Sequence, residues 1–199
     1  GATLPAAEAR RTLGLDPDGR YALFFGFIRD YKGLDLLLEA MSDPRLADLG
    51  VRLLVAGEFY GDPAPYMEQI ARLGIADRLV LKTDFIPDHE VNRYFCAADL
   101  VVQPYKSATQ SGVTQIAFHF GRPMVVTRVG GLPEIVPDGK AGFVVDPRPQ
   151  AIADALVRHY SEGWQQRLEA GVADERRKYA WSHMTEAIGR VAAAAAPEA

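Results

Sequence analysis

The stretch Leu100-Val101-Val102-Gln103-Pro104-Tyr105-Lys106-Ser107-Ala108-Thr109-Gln110-Ser111-Gly112-Val113 continues through residues 114–120 to Gly121-Arg122-Pro123-Met124-Val125-Val126-Thr127, and its reading decides the fold. A buried strand reaches Pro104, a polar loop ends in Ser111-Gly112, residues 114–120 carry the spacing of a short amphipathic helix, and residues 124–127 form a second buried strand. A loop of small hydroxyl and amide residues at the mouth of a helix offers free backbone N–H groups, and the helix dipole adds to their attraction for an anion. The stretch therefore predicts a phosphate-bearing ligand.

Outward from it, the same strand, loop and helix unit recurs. Residues 21–25 form an aromatic and aliphatic strand after the turn Asp16-Pro17-Asp18-Gly19, and Leu34, Leu37, Leu38 and Met41 then follow at helical spacing. Residues 51–56 are a second apolar strand, with a helix over residues 64–73 that tolerates Pro65 in its first turn. A third strand begins at Leu79, and Asp88 opens a helix carrying Val91, Tyr94, Phe95 and Ala98. Past the opening stretch come a turn of helix at residues 133–136 and a last strand at residues 142–145. Strands that are apolar throughout are covered on both faces, so six of them alternating with helices predict an α/β fold, a Rossmann-like three-layer sandwich with a six-stranded parallel sheet. Helical patterns resume from about residue 150, over 151–160, 164–179 and from Trp181, and the alanine-rich tail at residues 192–199 is expected to fray.

A chain of 199 residues fits one sizeable domain better than two, so residues 1–199 are read as a single unit. A net charge of −4 argues against a general nucleic-acid or membrane-surface binder, which leaves any anion to a few local groups. Cys96 is the only cysteine, so no internal disulfide can form and a reducing, cytoplasmic setting is expected. His89, His119, His159 and His183 lack the spacing of a zinc site, and no metal is expected. No apolar run reaches membrane-spanning length, so membrane contact through this domain is not expected, and the start without methionine reads as a piece cut from a longer protein.

In a doubly wound sheet the ligand lies beyond the carboxyl ends of the strands, which selects loops. In the first, Gly26-Phe27-Ile28-Arg29-Asp30-Tyr31-Lys32-Gly33, the cations Arg29 and Lys32 either grip a diphosphate together with Lys106 or belong to a solvated basic loop. Thr109-Gln110-Ser111-Gly112 is a ligand loop, a helix cap, or both. Gly130 and Gly131 allow close backbone approach or simply make a turn, and Glu134 either accepts hydrogen bonds from hydroxyl groups or is an ordinary first-turn acid. A simple NAD-binding domain is disfavoured because no Gly-x-Gly-x-x-Gly follows the first strand.

The glycine-bounded loop 26–33, the segment Ala97-Ala98-Asp99-Leu100-Val101-Val102-Gln103-Pro104, Gly121-Arg122-Pro123-Met124-Val125-Val126 and the run from Val129-Gly130-Gly131-Leu132-Pro133-Glu134 to Gly142-Phe143-Val144-Val145 together resemble the C-terminal half of the group-1, GT-B-fold glycosyltransferases. The motifs extend over residues 21–145. The resemblance implies a domain that binds a nucleoside-diphosphate sugar, while an N-terminal domain of the full-length chain, absent here, binds the acceptor. It implies hexosyl transfer with retention, no cofactor and no metal, with positive side chains and helix N-termini stabilising the departing diphosphate. The isolated domain should then bind donor and turn over little.

Carried over by position, Lys32 falls on the family's phosphate-binding lysine. The family arginine falls on Phe27, with Arg29 two positions further on, so Arg29 and Lys32 are the candidates for leaving-group stabilisation. The family's two donor glutamates fall on Ala108 and Ile116, which cannot hydrogen-bond a hydroxyl. The donor set expected instead is Gly26, Arg29, Lys32, Lys106, Ser107, Thr109, Gln110, Ser111, Gly112, Val113, Gly131 and Glu134, with Ser111 and the Gly112 and Val113 amides on the distal phosphate. Two other functions fit the same loops: a GT-B-fold epimerase, or a phosphorylase or synthase of similar architecture, and a non-catalytic nucleotide-sugar-binding module.

Overall fold

The structure, a computed structural model, describes residues 2–109 and 111–178. In chain order its elements are α1 (Ala6–Thr12), β1 (Arg20–Phe25), α2 (Leu34–Met41), α3 (Pro44–Asp48), β2 (Val51–Ala56), α4 (Ala64–Leu73), β3 (Leu79–Lys82) and α5 (Val91–Ala97). The second half adds β4 (Leu100–Gln103), α6 (Gly112–His119), β5 (Met124–Thr127), α7 (Leu132–Ile135), β6 (Gly142–Val145), α8 (Pro149–Ser161) and α9 (Gln165–Lys178). Gln110, Trp181 and the alanine-rich tail lie outside the described residues.

The six strands form one sheet in the order β3-β2-β1-β4-β5-β6, every neighbouring pair parallel. This is a Rossmann-like α/β fold. Leu23 of β1 pairs with Leu54 of β2 on one side and with Val101 of β4 on the other. Strand order therefore reverses at β1 and β4, where the helices that follow them, α2 and α6, leave for opposite faces of the sheet and open a crevice.

Alternate strand residues feed the two faces. Ala22, Phe24, Leu53, Val55, Leu100 and Val102 pack with Leu37 and Leu38 of α2, Ile70 of α4 and Leu156 of α8. Leu23, Leu54, Val101, Met124 and Val126 pack on the opposite face with Ala9 of α1, Phe95 of α5, Phe118 of α6 and Leu132 of α7. Both sides of the central strands β1, β2, β4 and β5 are thus largely dry, as their unbroken hydrophobicity predicts, whereas Leu81 of the edge strand β3 is exposed.

Two helix starts shift from the sequence expectation and one short helix adds to it. The helix after β3 starts at Val91 rather than Asp88, because Glu90 donates its amide to the Pro87 carbonyl and closes a turn first. The helix expected over 114–120 starts earlier, at Gly112, which brings its N-terminus directly behind Ser111. The short α3 was not anticipated; Asp43 caps it, accepting a bond from the Arg45 amide at 2.9 Å, with Pro44 in the first turn.

At the amino ends of the strands, away from the crevice, Asp99 gathers the fold. Its carboxylate accepts from Arg10 Nη2 at 2.7 Å, the Tyr21 amide at 2.7 Å and the Tyr160 hydroxyl at 3.3 Å. Its carbonyl accepts from Gln165 Nε2 at 3.2 Å, so α1, β1, α8 and α9 all close on one residue.

Candidate donor site

The loop after β1 and the loop after β4 are held together by backbone. Lys106 donates its amide to the Tyr31 carbonyl at 2.8 Å. Gly33 sits at φ 70° so close to Pro104 that a Cβ there would collide with the Pro104 carbonyl. The loop after β5 closes the other flank: Gly131 donates to the Thr109 carbonyl at 3.0 Å, and a Cβ on Gly130, at φ 51°, would collide with the Ala108 carbonyl. Gly33 and Gly130 thus serve close backbone approach between loops.

Between these loops lies a cavity of about 730 Å³, lined by Tyr31 and Lys32 from the first loop and by Tyr105, Ser107, Thr109 and Ser111 from the second. Gly112 and Val113 at the start of α6 complete the wall. The first amides of a helix have no intrahelical partner; here that of Thr114 is taken by the Ser111 carbonyl, while Gly112 and Val113, whose amides bond no carbonyl of the described residues, line the cavity. Ala108 and Ile116, the positions of the two glutamates in the resembling family, also line the cavity, with apolar side chains.

Lys32 is the cation of this cavity. Burial, and secondarily the positive charge of Arg29, hold its ammonium below the usual lysine range. No carboxylate of the described residues forms a salt bridge with it, and its Nζ lies 5.9 Å from the centre of the Tyr105 ring. Gly26, at φ 95°, makes room for it: a Cβ there would stand 3.0 Å from Lys32 Nζ.

Other expected residues are placed differently. Lys106 is not among the lining residues; its ammonium bonds Asp30 at 2.7 Å and Asp35 at 3.0 Å. Burial works against its charge, but these carboxylates outweigh it and raise its pKa. Arg29 lies over the Tyr60 ring at 4.1 Å, its buried Nε without a hydrogen-bond partner among the described residues, outside the cavity lining. Glu134 is exposed on the first turn of α7 and does not line the cavity either.

Ser111 holds the N-cap position of α6, yet its hydroxyl caps nothing. It accepts from Gln103 Nε2 at 2.8 Å and pairs with the Tyr105 hydroxyl at 3.2 Å. Thr114 donates to Gln103 Oε1 at 3.1 Å, and Thr127 donates to the Tyr105 carbonyl at 2.6 Å. The side-chain cap that the sequence allowed is thereby replaced by an inward network. Gln103, Tyr105, Thr114 and Thr127, all buried, were not singled out from sequence. The one available signal was Gln103, a polar residue closing an apolar strand that had to find buried partners.

A parallel doubly wound sheet with a cavity at the switch point is the arrangement in which Rossmann-like domains place their ligands. Residues 19–162 match the family described as "Glycosyl transferases group 1", and the chain belongs to that family. The D-inositol 3-phosphate glycosyltransferase of Segniliparus rotundus is 41% identical over 143 residues, which cover 70% of this chain and 32% of that protein. The Anabaena protein HepE, solved in complex with UDP-glucose, superposes with a TM-score of 0.79 at 20% identity, over 96% of this chain and 54% of its own. The C-terminal domain of a group 1 glycosyltransferase (LpcC) from Francisella tularensis gives 0.77 at 20% identity, over 90% of this chain and 98% of that domain. The chain spans from a third to about half of relatives such as those of S. rotundus and Frankia alni, at 32% and 47% of their lengths. No helix among the described residues is long and apolar enough to cross a membrane.

Proposed function

We propose that residues 1–199 are the nucleotide-sugar-binding domain of a glycosyltransferase, whose acceptor is bound by another domain of the full-length protein. The carrying observation is Lys32, a half-buried cation without a carboxylate partner, facing a cavity whose opposite wall is the start of α6. A diphosphate neutralises that lysine and bonds the amides of Gly112 and Val113 at the start of α6, with Ser111 on the distal phosphate. Arg29, held flat on Tyr60, is the second cation available from the same loop.

Hexosyl transfer breaks the bond between the anomeric carbon and the diphosphate oxygen, which keeps the electron pair, while an acceptor hydroxyl forms the new bond and gives up its proton to the departing diphosphate. Negative charge grows on the leaving oxygen, where Lys32 and the α6 dipole are already in place. The reading extends to retention of configuration, and to the donor acting as substrate without metal or cofactor, as the family resemblance implies. The UDP-glucose complex of HepE, on the same fold, supports a nucleotide sugar as ligand. The names of the relatives weigh for transfer over epimerisation.

Calorimetric titration of the chain with UDP, GDP, ADP and TDP tests this. One base should bind; Lys32→Ala should weaken that diphosphate by about tenfold or more, the scale of a lost charge-assisted hydrogen bond. Lys106→Ala, which removes an already neutralised charge, should change it by less than about threefold. Absence of binding by all four would refute the assignment of the cleft.

A further inference from the structure

We propose that Tyr105, Gln103 and Thr114 are positioning residues that fix Ser111 as a hydrogen-bond donor into the cleft. The group it meets is then an oxygen with lone pairs and no hydrogen, the distal phosphate oxygen of a nucleoside diphosphate. This rests on the reading of the cleft given above and adds to it the direction of one hydrogen bond and the residues that impose it.

Direction follows from counting protons. A side-chain amide oxygen only accepts, so the fully buried Thr114 spends its proton on Gln103 Oε1. The Gln103 nitrogen only donates; it reaches Ser111 Oγ at 2.8 Å and the Tyr105 oxygen at 3.5 Å. The remaining contact, 3.2 Å between Tyr105 and Ser111, has a geometry that suits either donor.

Burial decides it. Tyr105 is 3% exposed, and burial raises its pKa, so its proton stays on. Ser111 Oγ is the only acceptor recorded for that proton among the described residues. If Ser111 donated to Tyr105, the phenol proton would be buried unpaired. Tyr105 therefore donates, Ser111 Oγ accepts twice, and its own proton points to the cavity that it lines.

The selection is chemical. A sugar hydroxyl set against Ser111 could accept this bond, but it carries no charge to offset the Lys32 ammonium that lines the same cavity. A phosphate oxygen has no proton to satisfy and gains Lys32 and the α6 amides as neighbours.

The test is titration of the chain, whose sheet is covered on both faces, with UDP and UMP, or with the diphosphate and monophosphate of whichever base it selects. Ser111→Ala and Tyr105→Phe should each weaken the diphosphate about tenfold and the monophosphate by less than about twofold. The double variant should be no weaker than Ser111→Ala alone, because Tyr105 acts through Ser111. Thr114→Val should show the same loss and Thr114→Ser should retain affinity. The proposal is overturned if Tyr105→Phe leaves the diphosphate unchanged, weakens both nucleotides alike as a loosened loop would, or adds to Ser111→Ala. Failure of the unaltered chain to bind any diphosphate overturns the reading of the cleft itself, and this inference with it; binding with an inert Tyr105→Phe overturns the hydrogen-bond direction alone.

Discussion

Lys32 and Lys106 bring the same charge to neighbouring loops and are treated in opposite ways. Lys106 is spent on Asp30 and Asp35, whereas Lys32 is left half-buried with its pKa lowered by burial and then by Arg29. An anion bound beside Lys32 favours its protonated form and raises that pKa back toward the usual range. Between the two values binding takes up a proton, so affinity is flat at lower pH and falls as pH rises through the lowered value of the free chain. Diphosphate titrations from about pH 7 to pH 10 should show this loss beginning below the ordinary lysine range, and Lys32→Arg should flatten it. Lys32 and Ser111 were legible in the sequence because both flank a glycine at a strand-to-helix loop. The sequestering of Lys106 was not, since Asp30 lies 76 residues away and Asp35 in the first turn of α2, and the choice of partner is made in three dimensions. The relay through Gln103 was hidden for a related reason: a glutamine beside a proline reads as a strand end until its buried neighbours are known.

At the scale of elements, the site is three loops fitted backbone to backbone. Gly33 and Gly14 have the same φ of 70°, but a Cβ on Gly14 meets nothing within 4 Å while one on Gly33 strikes Pro104. Gly14→Ala should cost only the strain of the left-handed conformation, about 1 kcal/mol. Gly33→Ala should cost about 1–3 kcal/mol and also part the β1 and β4 loops, lowering diphosphate affinity. Denaturant melts of both variants, with titrations beside them, separate strain from collision. All six strands were legible because each is a short apolar run bounded by turn residues. The five-residue α3 was not, being too short to show a helical period. The early start of α6 was masked by Ser111-Gly112, a pair that reads equally as loop end or helix start, and that displacement is what puts its first amides at the cavity wall.

For the whole molecule, binding and cohesion sit at opposite ends of the strands. Asp99, one residue before β4, ties α1, β1, α8 and α9 together, and its partner Arg10 is 8% exposed. Asp99→Ala leaves that guanidinium buried without its counter-charge and should destabilise the chain by about 3 kcal/mol or more in urea. Diphosphate affinity, measured where the variant is still folded, should be unchanged. Sequence pattern announced a parallel sheet between helix layers, but not how each strand chooses its neighbours or that one aspartate would gather four elements. The strand order bears on how the molecule is made. β1 lies inside the sheet with β2 on one side, yet its other neighbour, β4, begins only at Leu100. On the ribosome β1, β2 and β3 can assemble early, leaving one rim of β1 with unanswered hydrogen bonds until the second half emerges. The crevice beyond β1 and β4 is thus also the seam at which the early and late halves of the sheet meet.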